Sequence, residues 1–114
     1  LIQLHKVDQD QYDELVMNLV VEGGNARSLA MEAVQEAKKG NFEEADARLK
    51  ECEEALINAH NTQTEMIQSE IRGDHIPVML LMVHAQDHLM DAMVVKDMAV
   101  EFVELYRKMA EQKG

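Results

Sequence analysis

Residues 81–95 read LMVHAQDHLMDAMVV, two histidines and two aspartates inside an otherwise oily stretch. On a helix of about 100° per residue, His84, Asp87, His88 and Asp91 fall at spacings i, i+3, i+4 and i+7. Leu80 and Leu81 precede them along that line, and Val94, Val95 and Met98 follow. A solvated face would not begin and end between apolar residues, so the four form a polar island in an apolar face. The other side is no wetter, being lined by Met79, Met82, Val83, Met90 and Met93. A helix apolar nearly all round is buried on more than one side. Two partner helices from a chain this short cannot wrap it, so self-association is expected, with methionines as adaptable packing.

Working outward, this helix is expected over residues 78–111. Asp97, Glu101, Glu104, Lys108 and Glu111 make the solvated face of its second half, with Gln86 extending that line. The RGDHIP segment precedes it, with Gly73 as a helix stop and Pro77 near the next first turn. Its RGD triplet is read as a helix connection. A second helix is expected over residues 42–71. Phe42, Ala45, Leu49, Cys52, Leu56, Ala59, Gln63, Met66 and Glu70 recur there at spacings of three and four, a packing seam along its whole length. Asn41 stands as its N-cap, with Glu43 and Glu44 in the first turn. The first helix spans residues 9–39 and stops at Gly40 behind Lys38 and Lys39. Its stripe passes from Leu15, Val16 and Leu19 to Gly23, Ala26, Ala30, Ala33 and Ala37. Gly23 and Gly24 in mid-helix cost about 1 kcal/mol each against Ala, so something uses the room: a close helix–helix approach, or a groove. Three helices with short loops give an all-α, antiparallel up-down-up bundle over a single domain, residues 1–114.

Charge and composition narrow the function. The formal net charge is −11, and the few cations form no stripe, which excludes a nucleic-acid backbone and disfavours an anionic membrane surface. A basic protein partner would be steered in. The longest apolar run, residues 76–83, is far short of the roughly 20 that span a bilayer. Leu1 stands where a starting Met would, so a few leading residues are expected to be missing, and no export signal opens the chain. Cys52 is the one cysteine, which excludes an internal disulfide and suits a reducing cytoplasm.

The island itself leaves three chemistries open: satisfied structural histidines, a histidine nucleophile or proton shuttle, and a structural metal. His84 and His88 with Asp87 between them approach the H-x-x-E-H metalloprotease pattern, but Asp replaces Glu and no third ligand stands out. No histidine has Glu three residues before it, as a di-iron bundle requires.

The segments NARSLAMEA, AHNTQTEMI and VHAQDHLM, in this order and with matching helix breaks, resemble the lactose/cellobiose-type IIA component of the bacterial phosphoenolpyruvate-dependent sugar phosphotransferase system. HAQDHLM is the specific part. The resemblance implies a three-helix protomer in a homotrimer of nine helices. It further implies a phosphocarrier that receives its phosphoryl group from the histidine phosphocarrier protein and hands it to a cysteine of the IIB component. The family's phosphorylated histidine falls on His84. Its metal-binding acid, one per protomer around a Mg²⁺ on the threefold axis, falls on Asp87. His88, one turn on, is a candidate donor to the phosphoryl group, with Gln86, Gln63 and His60 as further pocket candidates. The sugar is bound by the membrane IIC component. Ala85, where the lactose branch usually has Gly, favours a cellobiose/chitobiose-like disaccharide. The competing expectation is a non-catalytic oligomeric adaptor whose island is an interface network or metal site.

Overall fold

Two glycines divide the chain. Gly40 and Gly73 have φ of +89° and +95°, a backbone conformation that costs a glycine little and other residues much. Each ends a helix in the same way. The Asn41 N–H donates to the Glu36 carbonyl (2.9 Å) and the Gly40 N–H to that of Ala37 (3.0 Å). Asp74 reaches back to Ser69 (3.0 Å), and Gly73 to Glu70 (3.1 Å). These paired bonds satisfy carbonyls that a helix end leaves open. The RGD triplet is therefore a helix stop, with its glycine in the left-handed position.

The computed structural model describes residues 9–113, which form α1 (Gln9–Lys38), α2 (Phe42–Ile71) and α3 (Leu80–Lys113). The fold is all-α, as the periodicity predicts. Asn41 precedes α2 as expected, but its side chain makes no capping bond; its amide donates instead to Glu36, 3.4 Å away. The last helix starts at Leu80 rather than Val78. The Tyr12 hydroxyl donates to the Pro77 carbonyl at 2.7 Å, diverting an acceptor that a first turn begun earlier would use.

Register follows from which residues touch. Tyr12 meets Pro77 and Gly23 meets His88, a constant offset, so α1 and α3 run parallel. Gln63 meets Gln86 and Asp46 meets Arg107, a nearly constant sum, so α2 runs antiparallel to α3. The result is an up-down-up rod of 62 × 22 × 20 Å. At its far end Arg107 ties α3 to α2, 2.8 Å from Asp46 and over the Phe42 ring.

The interior is built from small side chains. Ala26, Ala30, Ala33 and Ala37 from α1 meet Ala45, Cys52, Ala55 and Ala59 from α2, and Ala85, Ala92 and Ala99 from α3. Alanine faces let helix axes approach to the short end of the usual 8–10 Å. Gly23 carries this furthest: a Cβ there would stand 3.1 Å from the His88 carbonyl carbon and 3.2 Å from the Leu89 nitrogen. Close approach is thus how the first glycine is used. The second, Gly24, faces open space.

Candidate functional site

Because α3 turns three alanines inward, many of its large residues face out. Ala85, Leu89, Ala92, Ala99 and Val103 are buried. Leu80 is 85% exposed and Val94 61%, and Met98, Phe102, Leu105 and Met109 are about half exposed. The polar island lies in that outward strip: His84, Asp87 and Asp91 are exposed and His88 half-buried. Expected as a buried line, it is open within one protomer. The apolar residues before and after it are open as well, so the whole strip is the surface a second copy would cover.

His84 and His88 lie one turn apart, their Nε2 atoms 3.0 Å from each other and their rings edge to face at 83°. At that separation one nitrogen donates and the other accepts, so the contact holds a single proton. In the tautomer in which His88 Nε2 carries that proton, it stands as a donor beside any group that His84 takes up. The backbone beneath the pair is fixed from α1, where Gly23 packs on His88 and Leu89.

Gln86 departs from expectation. It does not extend the solvated line but is half-buried against α2, where its Oε1 accepts from Gln63 Nε2 at 2.6 Å. Methionine sulfurs flank the two amides: Gln86 Nε2 lies 3.5 Å from Met82 Sδ, and Gln63 Nε2 3.7 Å from Met90 Sδ. Gln63, a polar residue in an apolar seam, was the sign of a cross-helix partner; the wheel alone does not say which. The pair opens onto a groove of about 360 Å³ whose walls include Ile67, Ile71, Val78, Val83 and Asp87.

His60 stands elsewhere. It borders a smaller groove with Ile57, Met93 and Lys96, and Met93 is nine residues beyond His84, about 13 Å along the helix. One protomer therefore brings His84 and His88 together and Gln63 and Gln86 together, while His60 borders a different groove from the amide pair. Cys52 is buried and burial pushes its thiol up, the behaviour of an inert core residue.

A divalent cation would need more than one protomer. Among the described residues no three His, Cys, Asp or Glu side chains are grouped to hold a metal. Asp87 nevertheless suits one: its hard oxygens point outward and no group in the described chain pairs with them. One carboxylate is a third of the oxygen set that three around an axis would offer. None of the described helices is long and apolar enough to cross a membrane.

Comparison with known proteins bears on this site. The family model described as PTS system, lactose/cellobiose specific IIA subunit, matches residues 14–107. The chain is 50% identical over 105 residues to the lichenan-specific phosphotransferase enzyme IIA component of Bacillus subtilis, covering 92% of this chain and 96% of that one. It is 38% identical to the N,N'-diacetylchitobiose-specific EIIA component of Escherichia coli, over 91% of this chain and 90% of the relative. The crystal structure of the PTS cellobiose-specific enzyme IIA from Bacillus anthracis superposes with a TM-score of 0.85 at 48% identity, covering 90% and 94% of the two chains. The IIA(chitobiose) chain solved in complex with HPr from Escherichia coli gives 0.75 at 38% identity, over 87% and 96%.

Proposed function

The chain belongs to the lactose/cellobiose-specific IIA subunit family of the sugar phosphotransferase system, and from that premise we propose that it is a phosphocarrier whose acceptor is His84. It takes a phosphoryl group from the histidine phosphocarrier protein and passes it to a cysteine of the cognate IIB component. The observation that carries the residue assignment is the His84–His88 contact on an exposed strip, a nucleophile with a donor already beside it. The relative solved with HPr supports the choice of donor protein. Relatives named for lichenan, cellobiose and diacetylchitobiose support a cellobiose/chitobiose-like cargo moved by the membrane IIC component.

In the incoming transfer the N–P bond of the donor histidine breaks as a lone pair on a His84 ring nitrogen takes up the phosphorus, and in the outgoing one the His84 N–P bond breaks as the IIB cysteine thiolate takes it up. The departing imidazole keeps the electron pair of the broken bond. An imidazole is neutral and nucleophilic near pH 7, and its N–P bond is reactive enough to be passed on. Such a transfer asks for positioning and charge compensation more than covalent help. His88 supplies one donor, and the exposed strip receives the partner.

The working species is a homotrimer of nine helices, each copy burying its outward α3 strip against the others. Asp87 of the three copies would hold one Mg²⁺ on the axis, where the cation supplies compensation for three converging carboxylates. The chain acts in the cytoplasm.

The test is a radiolabel transfer from phosphoenolpyruvate through the general carriers. Wild type takes up label that is acid-labile and base-stable, as an N–P bond is, and His84→Ala, equally helical, takes up none. Wild type that accepts no label is instead an oligomeric adaptor. A His84→Ala variant labelled at the wild-type rate moves the chemistry to another histidine.

A further inference from the structure

We propose that Glu70 is a positioning residue for the transfer, holding the connection between α2 and α3 as a formed rim on which the phosphorylated histidine carrier protein docks. The inference rests on the phosphocarrier reading above and adds to it a residue away from the acceptor.

The connection, residues 72–79, lies outside the helices, so its backbone groups need partners of other kinds. Two anchors fix it near its ends. The Ser69 hydroxyl donates to the Asp74 carbonyl at 2.9 Å, and the Tyr12 hydroxyl donates to that of Pro77 at 2.7 Å. Between the anchors stand His75 and Ile76, and both turn to Glu70. A carboxylate only accepts, so the His75 ring Nδ1 donates to one oxygen. The Ile76 N–H donates to the other at 3.3 Å. The bond from His75 also holds the Glu70 carboxyl below the usual carboxylate range, so it stays an acceptor at neutral pH.

What this staple positions is one wall of a groove. Glu70, Ile76 and Val78 line the groove of about 360 Å³ that also takes in Gln86 and Asp87. At Asp87 its inner end meets the α3 strip that carries His84. Its outer end is oily and open: Ile71 is 79% exposed and Val78 78%, with Ile67 about half exposed. An apolar patch rimmed by polar groups marks a docking site. Continuity with the His84 strip names the occupant, the protein that brings the phosphoryl group. Groove and connection carry Glu70, Asp74 and Asp87 against Arg72, an acidic balance that steers a basic protein in.

The expected signature follows from preorganisation. An untied connection has many arrangements and must be ordered when the carrier arrives. Apparent affinity then falls by the fraction of chains whose rim is already formed, while the bound complex is unchanged. A lost staple therefore shows in KM and not in kcat. An exposed tie of this kind shifts such a balance by about two- to fivefold.

Initial rates of phosphorylation, measured over a range of concentrations of the phosphorylated histidine carrier protein, test this. Glu70→Ala and His75→Ala should each raise KM about two- to fivefold at unchanged kcat, and the Ile76 amide of Glu70→Ala should exchange faster with solvent. His75→Asn, which keeps a donor at the reach of the lost ring nitrogen, should return KM to the wild-type value. A wild-type KM in both alanine variants, with helicity and assembly intact, overturns the proposal. So does a lowered kcat at wild-type KM, which puts Glu70 in the chemical step. If Glu70→Ala loses helicity or assembly, His75→Ala decides alone, since that side chain is exposed on the connection. Wild type that accepts no label strikes the phosphocarrier reading instead, so the two failures are distinct.

Discussion

The missing Cβ of Gly23 is the point at which α1 rests on the backbone of His88, the nearest atoms being 3.1–3.2 Å from where that carbon would sit. Backbone cannot swing aside as a flexible side-chain tip can. The helix carrying the proposed acceptor is therefore seated by a glycine on another helix, and the next residue, Gly24, has no such duty.

Replacing the two glycines should accordingly have opposite effects. Ala in mid-helix gains up to about 1 kcal/mol over Gly from chain entropy. At Gly24 nothing in the chain opposes that gain, so Gly24→Ala stabilises by about 0.5–1 kcal/mol. At Gly23 the helices must part, which costs about 1–3 kcal/mol and outweighs it. Urea titration at fixed protein concentration checks both signs, and Gly23→Ala as stable as wild type would contradict the close seat.

Asp87→Leu should keep or raise trimer stability in metal-free buffer, whereas wild type should lose stability on chelation. Exchanging converging charges for apolar groups of similar size is often neutral or stabilising, by about 1–4 kcal/mol. A cation bound only to the assembled state adds the opposite effect to wild type. Thermal melts of both proteins with Mg²⁺ and with EDTA report the four values. Dissociation of Asp87→Leu, together with indifference of wild type to EDTA, would remove Asp87 from the axis.

Acid should loosen the α2–α3 connection through Glu70. A hydrogen bond from His75, backed by one from the Ile76 N–H at 3.3 Å, holds the Glu70 carboxyl below the usual carboxylate range. A depressed folded-state pKa gives stability that is present above the unfolded value, near 4.5, and is lost as pH falls through the folded one. The Tm advantage of wild type over Glu70→Gln should therefore shrink between about pH 6 and about pH 3. An advantage that does not change with pH would show the tie to be unimportant.

Cys52 should resist alkylation in the native protein and react once the chain is unfolded in guanidinium. It has no exposed surface, and its thiol is pushed up by burial. Thiolate is the reacting form, so both factors slow the reaction. Stoichiometric native labelling within minutes would mean that α1 and α2 part readily.

Much of this was legible in the residues because local chemistry and fold agreed. Gly40 and Gly73 mark helix ends that backbone sterics enforce wherever they occur, and the alternation from Phe42 to Met66 needs a packed face. What periodicity could not say was which side of α3 meets its own chain. Ala85, Ala92 and Ala99 are weak apolar signals beside Leu80, Val94 and Met98, yet the alanines face inward, because close approach favours small residues over oily ones. The same ambiguity hid Gln86. A position on a wheel names a direction, and only the packed helices reveal that α2 stands in it.

An interior of alanines reverses the usual map of vulnerability. In most small proteins damage comes from hollowing, when a large buried side chain is trimmed and leaves a void. Here there is little to trim at Ala26, Ala30, Ala59 or Ala92, and almost any replacement drives a wedge between the helices. The outer strip of α3 asks chiefly for bulk and oiliness at Leu80, Val94 and Met98, where one aliphatic residue can stand for another. Random mutagenesis of this chain should thus find heat-sensitive alleles at its buried alanines as well as at Leu19 and Leu89, and tolerant positions among the large residues of the outer strip.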